Sequence, residues 1–520
     1  MKTNKWGRYI KNSLSLLFVL MLIINFAVTN VYAVTNPLEE AKAFIKNNYV
    51  GEVSDEVLNS STVEDMVSKL GDKYSQYFTA KEFEDFLNSI NNKFIGIGIH
   101  IDMVPEGVKI LSIISNSPAE EAGLKPGDII LEASGHQLSG MKSEEAVTYI
   151  KGEEGTKVTL IIKRGETTFN LEVERRQISV PTVETKILDN NIGYIEITSF
   201  GEDTAELFGN AVKEMKEKKV NGFIIDLRYN PGGFLDTALN ISGYFIGSNN
   251  ALIVENKSKK RQFYSGYPHS QQITEPVIFL VNEYSASASE VLSAAVKDYD
   301  KAFLVGTKTF GKGTVQAPFM LSDGSVIKLT IQQFLSPKGN IINKVGISPD
   351  LEVKNKEMDS LLVAQLLLGK STDVINKSGY LKVKIGSREF EIDLNKAKDE
   401  KYWDVYRNIL ENVNKDEVYL GTDKGWQKAE IKEGLISIKN SNSVNVTGSK
   451  VNTATKNTAV KKIFKVITCN LNVRSQATTK SKVIGVLKKG TKIEVTTYKN
   501  GWYRINYKGN PAYIYGKYVK

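Results

Sequence analysis

The sequence predicts a multidomain α/β protein, and three observations support this fold class. Between about Val180 and Val353, apolar strand segments alternate with helical segments, which is typical of an α/β layer. A β-rich stretch, 94–178, precedes that layer, and short alternating strands fill residues 463–519. A chain of 520 residues has room for about three or four domains, so these regions can fold separately.

The amino terminus is typical of a secretory signal peptide over residues 1–33. Four basic residues precede an apolar stretch, 14–28, and Val31-Tyr32-Ala33 follows as a cleavage signature. The apolar stretch has only 15 residues, whereas a membrane-spanning helix needs roughly 20. We expect an exported, extracytoplasmic protein that is associated with the cell wall, with an uncleaved membrane anchor as the alternative.

Composition and hydrophobic periodicity divide the rest of the chain into six segments. They are a helical region 34–92, a β-rich domain 93–178 with one helix at 143–150, an α/β core 179–355, a mixed region 356–438, a flexible Ser/Thr/Asn/Lys-rich linker 439–461 and an all-β barrel 462–520. The core's predicted strands are 192–197, 223–227, 277–281, 302–305 and 326–331, and its predicted helices are 204–216, 235–245 and 288–297. The mixed region carries no chemistry that its sequence identifies.

Positive charge is concentrated in the tail. Residues 451–520 hold 15 Lys and Arg and one acid, a net of +14, which leaves −5 for the first 450 residues. In an exported chain this favours anionic wall polymer or a membrane surface over nucleic acid, with a solvated basic face as the plain alternative. Cys469 is the only cysteine, which excludes a disulfide framework and a thiolate metal cluster. We expect no metal and no organic cofactor.

Two segments carry the candidate catalytic residues, Ser287 and Lys312. Each follows an apolar run that predicts a buried strand, so both emerge at strand ends, where sites on α/β sheets usually form. A serine needs a base to become a nucleophile, and none of the chain's three histidines lies in either segment. Lysine is then the candidate base, which requires an apolar pocket that lowers its pKa by roughly 3 units. The alternative is an ordinary serine at a helix start.

Two features could stabilise an oxyanion. Ser287 precedes the predicted helix 288–297, whose first N–H groups and dipole favour negative charge. The segment 226–233 ends a buried strand in Asn-Pro-Gly-Gly, and its glycines let the backbone direct N–H groups at a carbonyl. An ordinary surface loop is the alternative for this second segment.

Two other active-site types fit the sequence poorly. Residues 306–312 match the first seven positions of the phosphate-binding-loop motif, but Gly313 occupies the last position, where a Ser or Thr would bind magnesium. A Ser-His-Asp triad is disfavoured because His269 lies in a polar loop, and His100 and His136 fall in the β-rich domain.

Three motifs together resemble the carboxy-terminal processing peptidases, secreted Ser/Lys proteases that are also called tail-specific proteases. The motifs are NEYSASASEV at 282–291, TFGKGTVQ at 309–316 and DLRYNPGG at 226–233, and GISPD at 346–350 matches the end of the family's core. The resemblance covers residues 40–355 and implies a crotonase-like α/β core.

The resemblance also implies a role for each matching residue. It makes Ser287 the nucleophile, Lys312 the base and Gln316 the residue that orients the lysine. The oxyanion donors would be the N–H of Ala288 and that of Gly232 or Gly233, and the sequence does not decide between the two glycines.

The β-rich domain resembles a PDZ domain. It opens with Gly-Ile-Gly-Ile at 96–99 and contains SPAEEAGLKPGD at 117–128 before the helix 143–150. Glycines at a strand start can form a backbone nest for a C-terminal carboxylate, and the substrate tail would add as a strand beside 97–99. The predicted tail-binding residues are Gly96, Ile97, Gly98, Ile99, Ala146 and Ile150. The alternative is that Ile97 and Ile99 only fill the domain core.

The tail, 462–520, resembles the bacterial Src-homology-three domain that is often attached to wall enzymes. The match rests on 471–475, 501–503 and 512–515, and Ala512 replaces a common glycine. Its basic charge and aromatic residues suit peptidoglycan or anionic polymer. The family resemblance further implies a possible homodimer.

These observations predict an exported serine endopeptidase that holds apolar C-terminal tails of protein or peptide substrates and cleaves peptide bonds with Ser287 and Lys312. Two alternatives come from other classes. The first is a catalytically inactive, wall-tethered PDZ adaptor, which is disfavoured because Ser287, Lys312 and Gln316 are all present. The second is an acyl-CoA enzyme of crotonase type, which is disfavoured because the sequence has no recognisable adenine-nucleotide-binding feature.

Overall fold

The computed structural model describes residues 36–353, 360–369, 373–432, 435–438, 443–445, 464–468, 470–479, 481–499, 501–507 and 510–519. The predicted signal peptide 1–33 lies outside these residues, as does the predicted linker apart from 443–445. Among the helices that are described, none combines the length and the apolar character needed to cross a bilayer. The chain divides into two compact units, 1–449 and 450–520.

The first unit begins with a region that is helical except for one strand. Its elements are α1 (Pro37–Asn48), α2 (Asp55–Leu58), α3 (Val63–Lys69), β1 (Gln76–Phe78) and α4 (Ala80–Ile90). A capping box starts α4, because Thr79 and Glu82 each bond the other's backbone N–H. The three-residue strand β1 was not predicted, and it carries this region into a sheet of the α/β core.

The β-rich domain follows as an antiparallel sheet with one long and one short helix. Its elements are β2 (Lys93–Gly96), β3 (Ile99–Val104), β4 (Gly107–Ile113), α5 (Pro118–Glu121), β5 (Ile129–Ala133), β6 (His136–Gln137), α6 (Ser143–Ile150), β7 (Lys157–Arg164), β8 (Thr167–Glu174) and β9 (Arg176–Ser179). The sheet order is β3-β4-β5-β7-β8, so β3 is an edge strand. Strands β2 and β9 pair only with each other and join the domain to the core as a two-stranded ribbon.

The predicted alternation of strands and helices in the core is confirmed. The elements are β10 (Val183–Leu188), β11 (Ile192–Ile197), α7 (Thr204–Glu217), β12 (Gly222–Asp226), α8 (Leu235–Ile246), β13 (Asn250–Asn256), β14 (Arg261–Ser265), β15 (Val277–Val281), α9 (Ala288–Asp298), β16 (Phe303–Gly306), β17 (Thr314–Met320), β18 (Val326–Leu335) and β19 (Leu351–Glu352). A six-stranded sheet has the order β10-β11-β12-β15-β16-β19 and is parallel from β11 onward.

A second sheet forms the other wall of the core. It has the order β1-β18-β13-β14, with β17 also paired to β18. Residues 76–78 therefore bond to 326–328, although more than 200 residues separate them along the chain.

The central parallel strands β12, β15 and β16 are apolar except for Asp226 at the end of β12, as is typical of a sheet that is covered on both faces. Side chains alternate between two cores: Phe223 and Phe279 join helices α7, α8 and α9 on one face, while Ile224 and Ile278 face the other way. The second face is covered by the region that the sequence left without a role. Its elements are α10 (Ser360–Leu367), β20 (Tyr380–Ile385), β21 (Arg388–Asp393), α11 (Trp403–Glu411), β22 (Val418–Thr422), β23 (Gly425–Lys432) and β24 (Leu435–Ile438). A further strand, β25 (Ser443–Asn445), pairs with β24 and lies within the segment 439–461 that was predicted as a linker.

The second unit is a six-stranded antiparallel sheet. Its strands are β26 (Phe464–Val466), β27 (Leu471–Arg474), β28 (Val483–Leu487), β29 (Lys492–Lys499), β30 (Trp502–Tyr507) and β31 (Asn510–Tyr515), in the order β26-β29-β30-β31-β27-β28. Trp502 is buried against the half-exposed ring of Tyr515, with ring centroids 5.1 Å apart. Closure of this sheet into a barrel stays a prediction.

We predict that Phe279→Ala destabilises the first unit by about 3–5 kcal/mol, because it empties a site in the central core. Phe279 is 0% exposed and its ring meets that of Phe245 at 5.4 Å. The matched control is Phe263→Ala, since Phe263 is 56% exposed on β14, and its cost should stay within about 0.5 kcal/mol. Denaturant unfolding of both variants checks this, and equal losses would contradict the assignment of the core.

Candidate active site

Ser287 lies in a strained turn between strand β15 and helix α9. Its backbone has φ 56° and ψ −113°, a combination that residues with a side chain rarely adopt. Such a conformation costs on the order of 1–3 kcal/mol and persists only where the surrounding structure enforces it. The turn lifts Ser287 out of the sheet at the start of the helix.

The three serines of the SASAS motif have different surroundings. Ser285 is buried and its Oγ donates to the Leu227 carbonyl at 2.8 Å, and Ser289 is buried and its Oγ donates to the Asn230 carbonyl at 3.0 Å. Both hydroxyls therefore hold the neighbouring loop 227–233. Ser287 instead lines an open cavity of about 400 Å³.

Lys312 reaches the same cavity from the loop between β16 and β17. Its ammonium nitrogen lies 5.1 Å from the centroid of the Tyr74 ring. Burial lowers the pKa of Lys312, and the positive charge of Lys73 adds to this, while the negative charges of Glu290 and Asp72 oppose it. Ser287 Oγ and Lys312 Nζ share the cavity, but they are not hydrogen-bonded to each other in this structure.

Glu290 connects the serine segment to the lysine segment. It is 0% exposed, and its carboxylate accepts bonds from the N–H of Ser287 at 3.0 Å, Gly311 at 2.7 Å and Lys312 at 2.8 Å, and from Thr309 Oγ1 at 2.6 Å. Burial raises the pKa of Glu290, and these hydrogen bonds counteract the rise.

Glu290 was not among the predicted site residues. A signal for part of its role is present, since a Glu three residues after a Ser is a helix-start pattern. That pattern accounts only for the bond to Ser287, and the three bonds to 309–312 follow from tertiary contact.

The two candidate glycines of the oxyanion site differ in their hydrogen bonds. The N–H of Gly232 donates to Asn230 Oδ1 at 2.9 Å, so it is already used within its own turn. The N–H groups of Gly233 and Ala288 have no acceptor in the part of the chain that the structure describes, and both residues line the cavity. This arrangement favours Gly233 over Gly232 as the partner of Ala288.

Gly232 has a separate reason to be glycine. A Cβ at this position would lie 2.8 Å from the Cβ of Ser287 and 2.8 Å from the Ala286 carbonyl oxygen. Any side chain there would displace the strained serine turn, so Gly232 permits the close contact between the two loops.

A buried ionic cluster holds the base of the 226–233 loop. Arg228 binds the Asp226 carboxylate, which also accepts a bond from the Tyr194 hydroxyl at 2.8 Å. Burial and the neighbouring carboxylate raise the pKa of Tyr194, so its hydroxyl keeps its proton. This cluster fixes the strand end from which the glycines project.

Gln316 lies on strand β17 and lines the cavity. Its amide donates to Thr314 Oγ1 at 2.8 Å and, more weakly, to Thr330 Oγ1 at 3.4 Å. It makes no hydrogen bond to Lys312 in this structure, and its predicted orienting role stays a prediction.

One wall of the cavity comes from helix α4 in the amino-terminal region. This wall consists of Phe83, Phe86, Leu87 and Ile90. These residues give α4 an apolar side, yet no residue of the helix is fully buried. The wall is therefore available to an apolar part of a ligand.

The predicted tail-binding residues lie together in the β-rich domain. Ile97, Ala146 and Ile150 are buried in the domain core, and Ile99 packs against that core while partly exposed. Gly98 has φ +84°, and a Cβ there would lie 2.3 Å from the Cβ of Ser117. Gly96 ends strand β2. The backbone of the edge strand β3 is the part of this group that remains open to an added strand.

Family models match three regions of the chain. The model of peptidase family S41 matches residues 191–353, the PDZ domain model matches residues 96–174, and the bacterial SH3 domain model matches residues 470–520.

Curated relatives carry the comparison across these regions. Carboxy-terminal processing protease CtpA of Bacillus subtilis is 37% identical over 61% of this chain and 68% of its own length. CtpB of the same organism is 33% identical over 79% of this chain and 81% of its own length. A probable CtpA-like serine protease of Staphylococcus epidermidis is 36% identical over 61% of this chain and 65% of its own length. The chain therefore belongs to the S41 family of serine peptidases, among the carboxy-terminal processing proteases, and carries a PDZ domain and a bacterial SH3 domain.

Proposed function

We propose that this peptidase cleaves its substrates with Ser287 as nucleophile and neutral Lys312 as general base. The observation that carries the proposal is that Ser287 and Lys312 line one cavity, while the other two serines of the motif are buried and bonded to backbone carbonyls. The lowered pKa of Lys312 favours the neutral amine that a base requires.

The reaction follows from these positions. As substrate binds, Lys312 Nζ comes within hydrogen-bond reach of Ser287 Oγ and takes its proton, and Oγ attacks the peptide carbonyl carbon. The N–H groups of Ala288 and Gly233 stabilise the oxyanion. The carbon–nitrogen bond then breaks, and the leaving amine receives the proton from Lys312. Water, deprotonated by Lys312, then attacks the carbonyl carbon of the acyl-enzyme. The ester bond to Ser287 Oγ breaks, Oγ takes the proton back from Lys312, and the product leaves as a carboxylic acid that ionises in water.

The PDZ domain would recruit the substrate. An extended tail with an apolar C-terminus can pair with the edge strand β3 through main-chain hydrogen bonds, with α6 on the other side of the groove. The Gly-Ile-Gly-Ile turn would receive the terminal carboxylate.

We further propose that the protein acts outside the cytoplasm. The segment 1–33 has the order of a secretory signal, and the net charge of +14 over residues 451–520 suits attachment to peptidoglycan or anionic wall polymer. A homodimer, which the family resemblance implies, belongs to the same proposal.

We predict that Ser287→Ala, Lys312→Ala and Lys312→Arg each lower kcat/KM by at least about 10³-fold on an unfolded protein substrate. Arginine keeps the charge but cannot give up its proton, so Lys312→Arg separates a base from a mere cation. The matched control is Lys308→Ala, an exposed lysine in the same loop. Substantial hydrolysis by Ser287→Ala or Lys312→Arg would reject the assignment.

We predict that kcat/KM rises with pH through the lowered pKa of Lys312. The free amine is the active form and predominates above that pKa, so activity is lost as pH falls below it. The midpoint of the rise should therefore lie below that of an ordinary lysine, whose pKa is about 10.4. Initial rates across the pH range, with recovery of activity at a reference pH as the stability control, measure this. A profile that rises only above about pH 10 would argue against a neutral base.

We predict that Glu290→Gln lowers kcat by about 100-fold or more and also destabilises the fold by about 1–3 kcal/mol. The amide of glutamine offers one oxygen in place of two and turns an NH₂ group toward N–H donors. Ser287 and the 309–312 loop then lose their common anchor. Peptidase assays and unfolding curves on the same preparation check both effects, and activity within threefold of wild type would show that Glu290 has no positioning role.

A further inference from the structure

Lys328 is a second lysine in the active-site cavity. It lies on strand β18 between Gln76 of β1 and Pro318 of β17, and its side chain lines the cavity together with Ser287 and Lys312. The proposed reaction gives it no task.

The side chains in direct contact with the Lys328 ammonium group are uncharged. Its Nζ donates to Gln76 Oε1 at 2.5 Å and lies 4.3 Å from the Phe86 ring centroid and 5.3 Å from that of Phe78. It forms no ion pair within the described residues. Partly buried lysines elsewhere in the first unit do, as Lys216 with Glu275 and Lys297 with Asp350 show.

Lys328 is nevertheless charged at neutral pH. Burial and the positive charge of Lys312 lower its pKa to about 8, and Asp72 opposes the shift. A protonated amine has three donors, of which Gln76 takes one. The other donors can therefore bind an acceptor that enters the cavity, which Lys328 lines.

The cavity therefore combines an apolar wall with an unpaired cation. The wall is the partly buried apolar side of α4, and Phe86 belongs to both features because its ring meets the ammonium group. A ligand that matches this surface has an apolar part and a carboxylate.

We propose that Lys328 binds a carboxylate of the peptide substrate inside the active-site cavity and thereby selects which peptides are cleaved. This inference rests on the proposed function of the same cavity. The carboxylate is either an Asp or Glu side chain close to the scissile bond or the C-terminal carboxylate of a short leaving fragment. Both would accept a charge-assisted hydrogen bond from the ammonium group.

A purely structural Lys328 would behave differently. If it only held α4 through the contact with Phe86, its replacement would slow cleavage of every peptide by the same factor. A carboxylate-binding residue instead changes the ratio of rates between a carboxylate-bearing peptide and its neutral isostere.

The test compares matched peptides on the full chain. One short unstructured peptide rich in Ala, Val and Leu is made with Glu or Gln at each position flanking the scissile bond in turn, and with a free or an amidated C-terminus. We measure kcat/KM of wild type, Lys328→Gln and Lys328→Arg for each pair. The control is Lys213→Gln, which removes an exposed positive charge on α7, outside the cavity lining.

We expect wild type to prefer one carboxylate form over its neutral partner by about tenfold, Lys328→Gln to lose that preference, and Lys328→Arg and Lys213→Gln to retain it. If the peptide with Glu is preferred over the peptide with Gln, the bound carboxylate belongs to a side chain. If the free C-terminus is preferred over the amidated one, the bound carboxylate is that of the chain end. The PDZ domain could also favour peptides with a free C-terminus over amidated ones. Any such preference is the same in wild type and Lys328→Gln, so it cancels when the two proteins are compared.

Two results would overturn the proposal. One is a wild-type kcat/KM for each carboxylate peptide that equals the value for its neutral partner, a result that does not depend on whether any variant folds. The other is an undiminished ratio in Lys328→Gln. Failure of the proposed function has a different signature, namely cleavage by Ser287→Ala at the wild-type rate.

Discussion

The candidate active site is held together by one buried carboxylate. Glu290 binds the backbone of the serine turn and the backbone of the lysine loop at once, so the two segments are fixed relative to each other before any substrate arrives. The serine turn is strained, and a strained turn is maintained only by surrounding contacts. Glu290 supplies one, and the hydroxyls of Ser285 and Ser289 supply two more through the neighbouring loop.

The central sheet determines where these loops meet. Because β12, β15 and β16 are parallel neighbours, their carboxyl ends bring the glycine loop, the serine turn and the lysine loop to one edge. Both faces of the sheet are covered, one by helices α7–α9 and the other by the region after residue 360. That region has a structural role that its own sequence did not reveal, since its apolar residues belong to a core shared with Ile224 and Ile278.

Sequence reasoning predicted what local pattern determines. The apolar run 277–281 has the predicted bounds, and helix α9 begins directly after Ser287 as predicted. It missed what depends on distant contacts: the short strand β1, the apolar wall from α4 and the links of Glu290 to residues 309–312. The choice between Gly232 and Gly233 was equally out of reach, because it depends on where the Asn230 side chain points. In the PDZ domain, Ile97 is buried, but a residue that lines the binding groove would show the same apolar pattern in the sequence. Hydrophobic periodicity therefore could not distinguish a core residue from a groove residue at this position.

The ribbon of β2 and β9 brings the chain into the PDZ domain and out again at adjacent points. Because its two ends are adjacent, the PDZ domain could be replaced by another domain in the course of evolution without a change in the path of the peptidase backbone. The cleft behaves in the opposite way. The walls of the cavity come from α4, before the PDZ domain, and from the α/β core after it. The cavity is therefore not encoded by one continuous stretch of sequence, and both stretches are needed to form it.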